Sequence, residues 1–254
     1  MNRLCSFLPY LEVRTVKTGD PKIPELGIRQ PVGEGTIHVW SAWYADLEPN
    51  FPYYSEQLSR EEMLKAAGYK KSTDSRHYIL RHGMVRAVLG YYLGRDPGKI
   101  RFMQGMTGKP ALDPENSSSD IRFSLSCTGE RVCLGITRKS DIGLDIVKVQ
   151  TRYPFFAIEN YLFTPGEKEW IAQGAPDRRA IRFFRIWSMK EALLKVTGSN
   201  ARVMQDVDVS GVLTDRYLNG CYALNIWEKK MNFFIHEKGC GAGHHRVIAT
   251  LKEI

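Results

Sequence analysis

The 254-residue sequence has no apolar run near the roughly 20 residues a helix needs to cross a bilayer, which argues against a membrane-spanning role. Its first residues, MNRLCSFLPYLEVR, are broken by Pro9 and Glu12 and lack the apolar segment of a secretory signal, so a cytoplasmic location is expected. Cysteine is scarce. Cys5, Cys127, Cys133, Cys221 and Cys240 are odd in number and form no C-x-x-C pair, which argues against a disulfide framework and predicts reduced thiols. A zinc site at Cys240, His244 and His245 fails on geometry: adjacent histidines on an extended segment point to opposite faces, and a fourth ligand is missing. No nucleic-acid recognition motif or Arg/Lys-dense helix is present, so a nucleic-acid partner is not expected.

What is present is an ordinary globular composition, 43% apolar and 25% charged, long enough for one large domain or two small ones. The net charge of +8 suits an anionic partner, whether nucleic acid, acidic protein or phosphorylated cofactor, and does not choose among them. Residues 1–35 are rich in Pro and Gly and read as an irregular lead-in. A strand follows over Thr36 to Leu47, then a helix opened by the Ser59/Glu62 capping pair. Tyr78, Val85, Leu89 and Tyr92 recur at helical spacing and predict a second helix from Ser75 to Leu93, stopped by Gly94 and Pro97. Asp113 to Asp120 reads as a loop, and Ile121–Leu125, Arg131–Thr137 and Ile142–Val149 as strands. Helical stretches then fall at Phe155–Phe163, Gly166–Gln173 and Ala180–Val196, with strands to the end. The expected division is a 36–140 half and a 141–254 half, each with helices followed by strands: an α+β order without a repeat of residue identity.

Three segments carry chemistry. Asp145 stands in the apolar strand Ile-Gly-Leu-Asp-Ile-Val, where an unpaired buried carboxylate is costly. Alternation puts Gly143, Asp145 and Val147 on one face, and Gly143 leaves space beside the carboxylate. A metal ion or a basic partner answers the cost; an edge strand with Asp145 in water is the plain alternative. The helix around Trp187 is apolar over most of its circumference, yet Ser188, Glu191 and Lys195 form one polar stripe. An ordinary surface ion pair accounts for Glu191 and Lys195. So does an anionic ligand held through a cation, with the carboxylate on a metal and the ammonium on a phosphate. Thr107-Gly108-Lys109-Pro110 is a tight turn in which Lys109 faces an anion or nothing at all.

In this order the segments resemble the Sfp-type 4'-phosphopantetheinyl transferases, over roughly residues 36 to 250. Gly108-Lys109-Pro110 looks like the family's GKP, Phe123-Ser-Leu-Ser its F-x-x-S stretch, and Ile142-Gly-Leu-Asp its I-G-x-D strand. Trp187-Ser-Met-Lys-Glu-Ala-Leu-Leu-Lys is similar to its W-x-x-K-E-x-x-x-K signature, and Lys65 to Leu89, with Tyr69, Asp74 and Arg86, to its first helices.

The resemblance implies two similar α+β halves packed as a pseudo-dimer, with coenzyme A in the cleft between them, and a monomer as the active form. It implies transfer of 4'-phosphopantetheine from coenzyme A to a serine of an apo acyl or peptidyl carrier protein, with Mg2+, releasing adenosine 3',5'-bisphosphate. Asp145, Glu191 and Lys195 would be catalytic, and Asp145, Glu191 and Glu167 would surround the metal. The cofactor would meet Lys65, Thr107, Gly108, Lys109, Pro110, Ser126, Cys127 and Lys195. Two positions depart from the family pattern: Val147 stands where many relatives carry a second acid, and Cys127 where many carry histidine. A degenerate relative that binds coenzyme A or a carrier without turnover is the alternative.

Overall fold

The computed structural model describes residues 10–16, 32–105, 108–114, 120–151, 157–227 and 229–251. Most of the 1–35 stretch lies outside them. Within it, however, Tyr10–Val16 (β1) is a strand rather than irregular chain, parallel to Thr36–Trp43 (β2) with Val13 opposite Val39. β2 stops at Trp43, where the chain enters a short helix, Tyr44–Leu47 (α1), in place of the strand expected to reach Leu47.

Helices Phe51–Glu56 (α2), Arg60–Ala67 (α3) and Ser72–Leu93 (α4) follow. A small hairpin, Phe102–Gln104 (β3) with Pro110–Leu112 (β4), leads to Ile121–Thr128 (β5) and Arg131–Arg138 (β6). The first sheet has the order β1-β2-β6-β5. Ile142–Lys148 (β7) opens the second part of the chain, followed by helices Glu159–Leu162 (α5), Pro165–Ala172 (α6) and Pro176–Thr197 (α7). The helix expected over Phe155–Phe163 is shorter, and 152–156 lie outside the described residues. Val207–Asp208 (β8), Asn219–Ile226 (β9), Lys229–Gly239 (β10) and His244–Leu251 (β11) complete a second sheet of order β7-β11-β10-β9-β8. The architecture is mixed α and β. The first sheet takes β1 and β2 before its helices and the second takes β7, so the expected order of helices then strands is corrected to strands, helices, strands.

Period-two alternation explains the layering. Trp40 and Ala42 of β2 and Val132, Leu134 and Ile136 of β6 pack on α4 through Leu80, Met84 and Val88. The opposite faces carry Ile37, Val39 and Cys133, which meet Ile142, Leu144, Ile146, Phe234 and Ile248 of the second sheet. The far face of that sheet, with Phe233, Ile235 and Val247, packs on α7 through Phe183, Met189 and Leu193. Helix, sheet, sheet and helix thus stack in four layers. Each large apolar side chain buried there contributes about 1.5–3 kcal/mol.

The two long helices share a local design. Ser59 and Glu62 form a capping box at α3, and Thr164 and Glu167 form one at α6. In each case the capping acid also meets a cation on the following long helix: Glu62 with Arg86 at 2.7 Å, Glu167 with Lys190 at 2.5 Å. Both long helices end on a glycine in the left-handed region, Gly94 at φ 66° and Gly198 at φ 68°.

Candidate active site

The second sheet's outer edge is β7, and an exposed edge would leave a row of unpaired backbone groups. Side chains close it. Ser124 Oγ accepts from Leu144 N at 3.0 Å, Ser126 Oγ from Ile146 N at 3.2 Å, and Thr128 Oγ1 from Lys148 N at 3.3 Å. Three hydroxyls at alternate positions of β5 therefore zip the first sheet to the second. The carbonyls on the same edge are met by ammonium groups: Lys109 Nζ donates to Ile142 O at 2.8 Å, and Lys195 Nζ to Leu144 O at 3.0 Å.

Asp145 is buried at the centre of this seam. Its Oδ1 accepts from Ser126 Oγ and from Lys195 Nζ, each at 2.8 Å, while Oδ2 is buried without a partner. The plain alternative, an edge carboxylate in water, is thereby corrected. Gly143 plays a different part from the one expected of it. A Cβ there would come within 1.8 Å of Ala192 O, so the glycine admits the backbone of α7 rather than making room beside the carboxylate.

Helix α7 supplies Glu191 and Lys195 one turn apart, against the face of β7 that carries Asp145. Glu191 makes no hydrogen bond among the described residues; burial raises its carboxyl above the usual range, Lys195 pulls it down and the Asp145 charge pushes it up again. Two carboxylates converge here, with one buried oxygen unsatisfied. These are hard oxygen donors of the kind Mg2+ takes, one or two at a time, with phosphate and water completing its shell. No group of three or more His, Cys, Asp or Glu side chains that could hold a metal occurs among the described residues.

The seam opens into a cleft of about 1320 Å³ lined by both sheets and both long helices. It brings together Lys65, Gly108, Lys109, Pro110, Ser126, Cys127, Asp145, Val147, Glu191 and Lys195. Thr107 lies outside the described residues. Glu167 does not join them. Its oxygens take Thr164 N at 2.8 Å, Val209 N at 2.9 Å and the Lys190 ammonium, with no exposed surface, so the expected place near a metal is corrected to a structural one. Lys109 lines the cleft but turns its ammonium inward, also reaching Lys195 O at 2.6 Å; it ties the hairpin loop to α7 instead of presenting charge to an anion. Burial accordingly lowers its pKa. The expected Ser188-Glu191-Lys195 stripe is split, because Ser188 is buried against His245 Nδ1 at 2.9 Å.

His245 in turn meets Glu237 at 2.9 Å, and His244 packs edge-on to Trp43. Cys127, Cys133 and Cys240 are free thiols as expected, but Cys221 is disulfide-bonded, which corrects the expectation of five reduced cysteines.

Arg81 is among the cleft residues that escaped the sequence reading. Arg81 of α4 lies over the Tyr78 ring, 5.0 Å from its centroid, with Nη1 3.8 Å from Cys127 Sγ and Nη2 3.4 Å from Tyr69 Oη. No carboxylate among the described residues pairs with it; burial opposes its charge, and Cys127, Tyr44 and Tyr69 favour it. Tyr78, Arg81, His82 and Val85 share one helical face, and that spacing was the available signal.

Residues 141–245, which hold β7 and α7, match the 4'-phosphopantetheinyl transferase superfamily. The chain is 25% identical over 190 residues to the 4'-phosphopantetheinyl transferase HetI of Nostoc sp., covering 75% of this chain and 78% of that one. It is 32% identical over 123 residues to the 4'-phosphopantetheinyl transferase AcpT of Escherichia coli, covering 48% and 60%. A 4'-phosphopantetheinyl transferase of Bacillus subtilis is 26% identical over 149 residues, covering 59% and 64%. The matched superfamily and these relatives, each named a 4'-phosphopantetheinyl transferase, are what the chain is similar to.

Proposed function

We propose that the protein transfers the 4'-phosphopantetheine group from coenzyme A to a serine hydroxyl of an apo acyl or peptidyl carrier protein. The observation that carries this reading is the buried, unpartnered Oδ2 of Asp145, a residue that lines one cleft with Glu191 and Lys195. Asp145 and Glu191 would hold Mg2+. When bound, the ion neutralises the diphosphate of coenzyme A and steadies the charge that grows on the leaving group.

The chain's own residues supply the rest. Glu191 accepts the proton of the carrier serine, directly or through water, as its oxygen attacks phosphorus on the pantetheine side. The new P–O bond joins serine to phosphopantetheine, and the broken one releases adenosine 3',5'-bisphosphate. Lys195, fixed by Asp145 and the Leu144 carbonyl, keeps its charge beside that leaving group. Gly108 and Pro110 line the nucleoside end, and Arg81 with Lys65 offers cations to phosphate oxygens in place of Cys127, whose thiol is a poor donor. Val147 supplies no oxygen, so an ion held by Asp145 and Glu191 would depend on water for its remaining ligands.

The two sheets with their long helices, residues 36–140 and 141–254, are read as the halves of a pseudo-dimer within one chain, which makes a monomer sufficient. The +8 charge suits an acidic carrier surface, and a cytoplasmic location suits the substrates. Release of adenosine 3',5'-bisphosphate tests the reading. It should appear only when coenzyme A, Mg2+ and carrier are all present. Coenzyme A binding without any release would establish the degenerate binder instead.

A further inference from the structure

The layer between the two sheets is apolar at one end and cationic at the other. The strand faces that carry Val39, Phe234 and Ile248 also carry Ser41, Arg131, Cys133, His236, His244 and Arg246. Arg246 is 3% exposed and Arg131 9%. Arg131 lies over Trp43 and donates to Cys240 O at 2.8 Å and Ser41 Oγ at 3.1 Å.

Four ring or guanidinium nitrogens there are buried without a partner: Nε of Arg131 and of Arg246, and Nε2 of His236 and of His244. No carboxylate among the described residues answers either guanidinium. Glu237, the acid next to His236 in the chain, belongs to the opposite face of β10 and is taken by Arg185 and His245. The charges of Arg131 and Arg246 both bear on the buried Cys133 thiol. Burial and Arg246 push His236 down to about 4, and burial lowers His244 too, so the imidazoles add no charge at neutral pH. What is left is two buried guanidinium groups on facing strand faces, both near enough to act on Cys133, a costly arrangement unless a counter-charge is supplied.

We propose that this end of the intersheet layer binds a small inorganic anion, of chloride or phosphate size, held by Arg131 and Arg246. The site is separate from the cleft, since none of Arg131, His236, His244 or Arg246 lines it. A bound anion would hold the two sheets together at the end where the apolar layer gives out. By linkage it would raise stability as its concentration rises.

The test is thermal melting of the whole protein at fixed ionic strength in gluconate, with chloride or inorganic phosphate titrated in. The expected result is a saturable rise of the melting temperature with at least one of the two anions. Arg246→Met should abolish that rise, while Lys195→Ala, which alters the cleft, should keep it. A wild-type protein that melts alike in all three anions overturns the proposal, and so does a rise that survives Arg246→Met. Should Arg246→Met fail to fold, chloride and inorganic phosphate NMR line broadening on the wild-type protein decides. Excess broadening that persists with coenzyme A saturating the cleft supports the site; none, or broadening removed by coenzyme A, overturns it.

Discussion

The ammonium of Lys195 lies 2.8 Å from Oδ1 of Asp145, so the strand carboxylate has one oxygen committed and one to give. Ser126 donates to the same Oδ1 and also accepts from Ile146 N, which fixes the carboxylate's rotation from the first sheet. A seam residue, a helix lysine and an edge strand thus hold one oxygen of a cleft-lining carboxylate and leave the other unpartnered. The account of function rests on that free oxygen.

Glu191 is the group most easily separated from folding, because it makes no hydrogen bond among the described residues and its charge is disfavoured by burial and by Asp145. Glu191→Gln should lower the transfer rate by roughly 100-fold or more, the scale of a lost general base. Its melting temperature should stay equal or rise, since a like charge beside Asp145 is removed. A marked loss of stability by calorimetry would mean that Glu191 is structural.

Arg81 is predicted to act on binding. Arg81→Ala should raise KM for coenzyme A by roughly 10- to 100-fold, the scale of one lost charge-assisted hydrogen bond, with kcat much less affected. Steady-state kinetics with the carrier saturating makes the comparison. An unchanged KM would remove Arg81 from the phosphate-binding cations.

Val147, 9% exposed, lines the cleft with Asp145, two residues away on the same strand face. Val147→Glu should therefore lower the Mg2+ concentration that gives half the maximal rate. Without an ion there, the added acid would only repel Asp145, and melting would fall equally with and without Mg2+.

Acid should unfold the protein partly through Glu237. Burial pushes its carboxyl up, but Arg185 and His245 outweigh that and hold it down at about 2. A carboxyl depressed on folding contributes stability above its unfolded pKa and loses it as pH falls through the folded one. The window is thus about pH 5 to 2, and the contribution is on the order of 3 kcal/mol. Glu237→Gln should be less stable at neutral pH, because Arg185 loses its partner, yet lose less further stability on acidification. Denaturant titrations at several pH values would show a flatter acid limb; an identical limb would contradict the assignment.

Sequence alone made Asp145 conspicuous, because a carboxylate amid Ile, Leu and Val needs a partner, and it made the Ser59/Glu62 cap readable because that signal is local. Glu167 was misplaced for the converse reason. A capping glutamate and a metal-ligating one are the same residue, and only the buried Lys190 and Val209 N reveal which it is. Lys109 and Ser188 went astray because their partners, Ile142 O and His245, are far away in the chain. The Ser124-Ser126-Thr128 zipper has a period-two signal, yet hydroxyls at alternate strand positions usually mean a solvent face. β1 was hidden by the Pro and Gly around it.

The most direct test of the central claim is the intact mass of an apo carrier protein after incubation with the enzyme, coenzyme A and Mg2+. The account predicts a gain equal to one phosphopantetheine arm, matched by an equal amount of adenosine 3',5'-bisphosphate. The gain should be lost with a chelator or with Asp145→Asn. An unmodified carrier beside folded wild-type enzyme, or a full gain with Asp145→Asn, would contradict it.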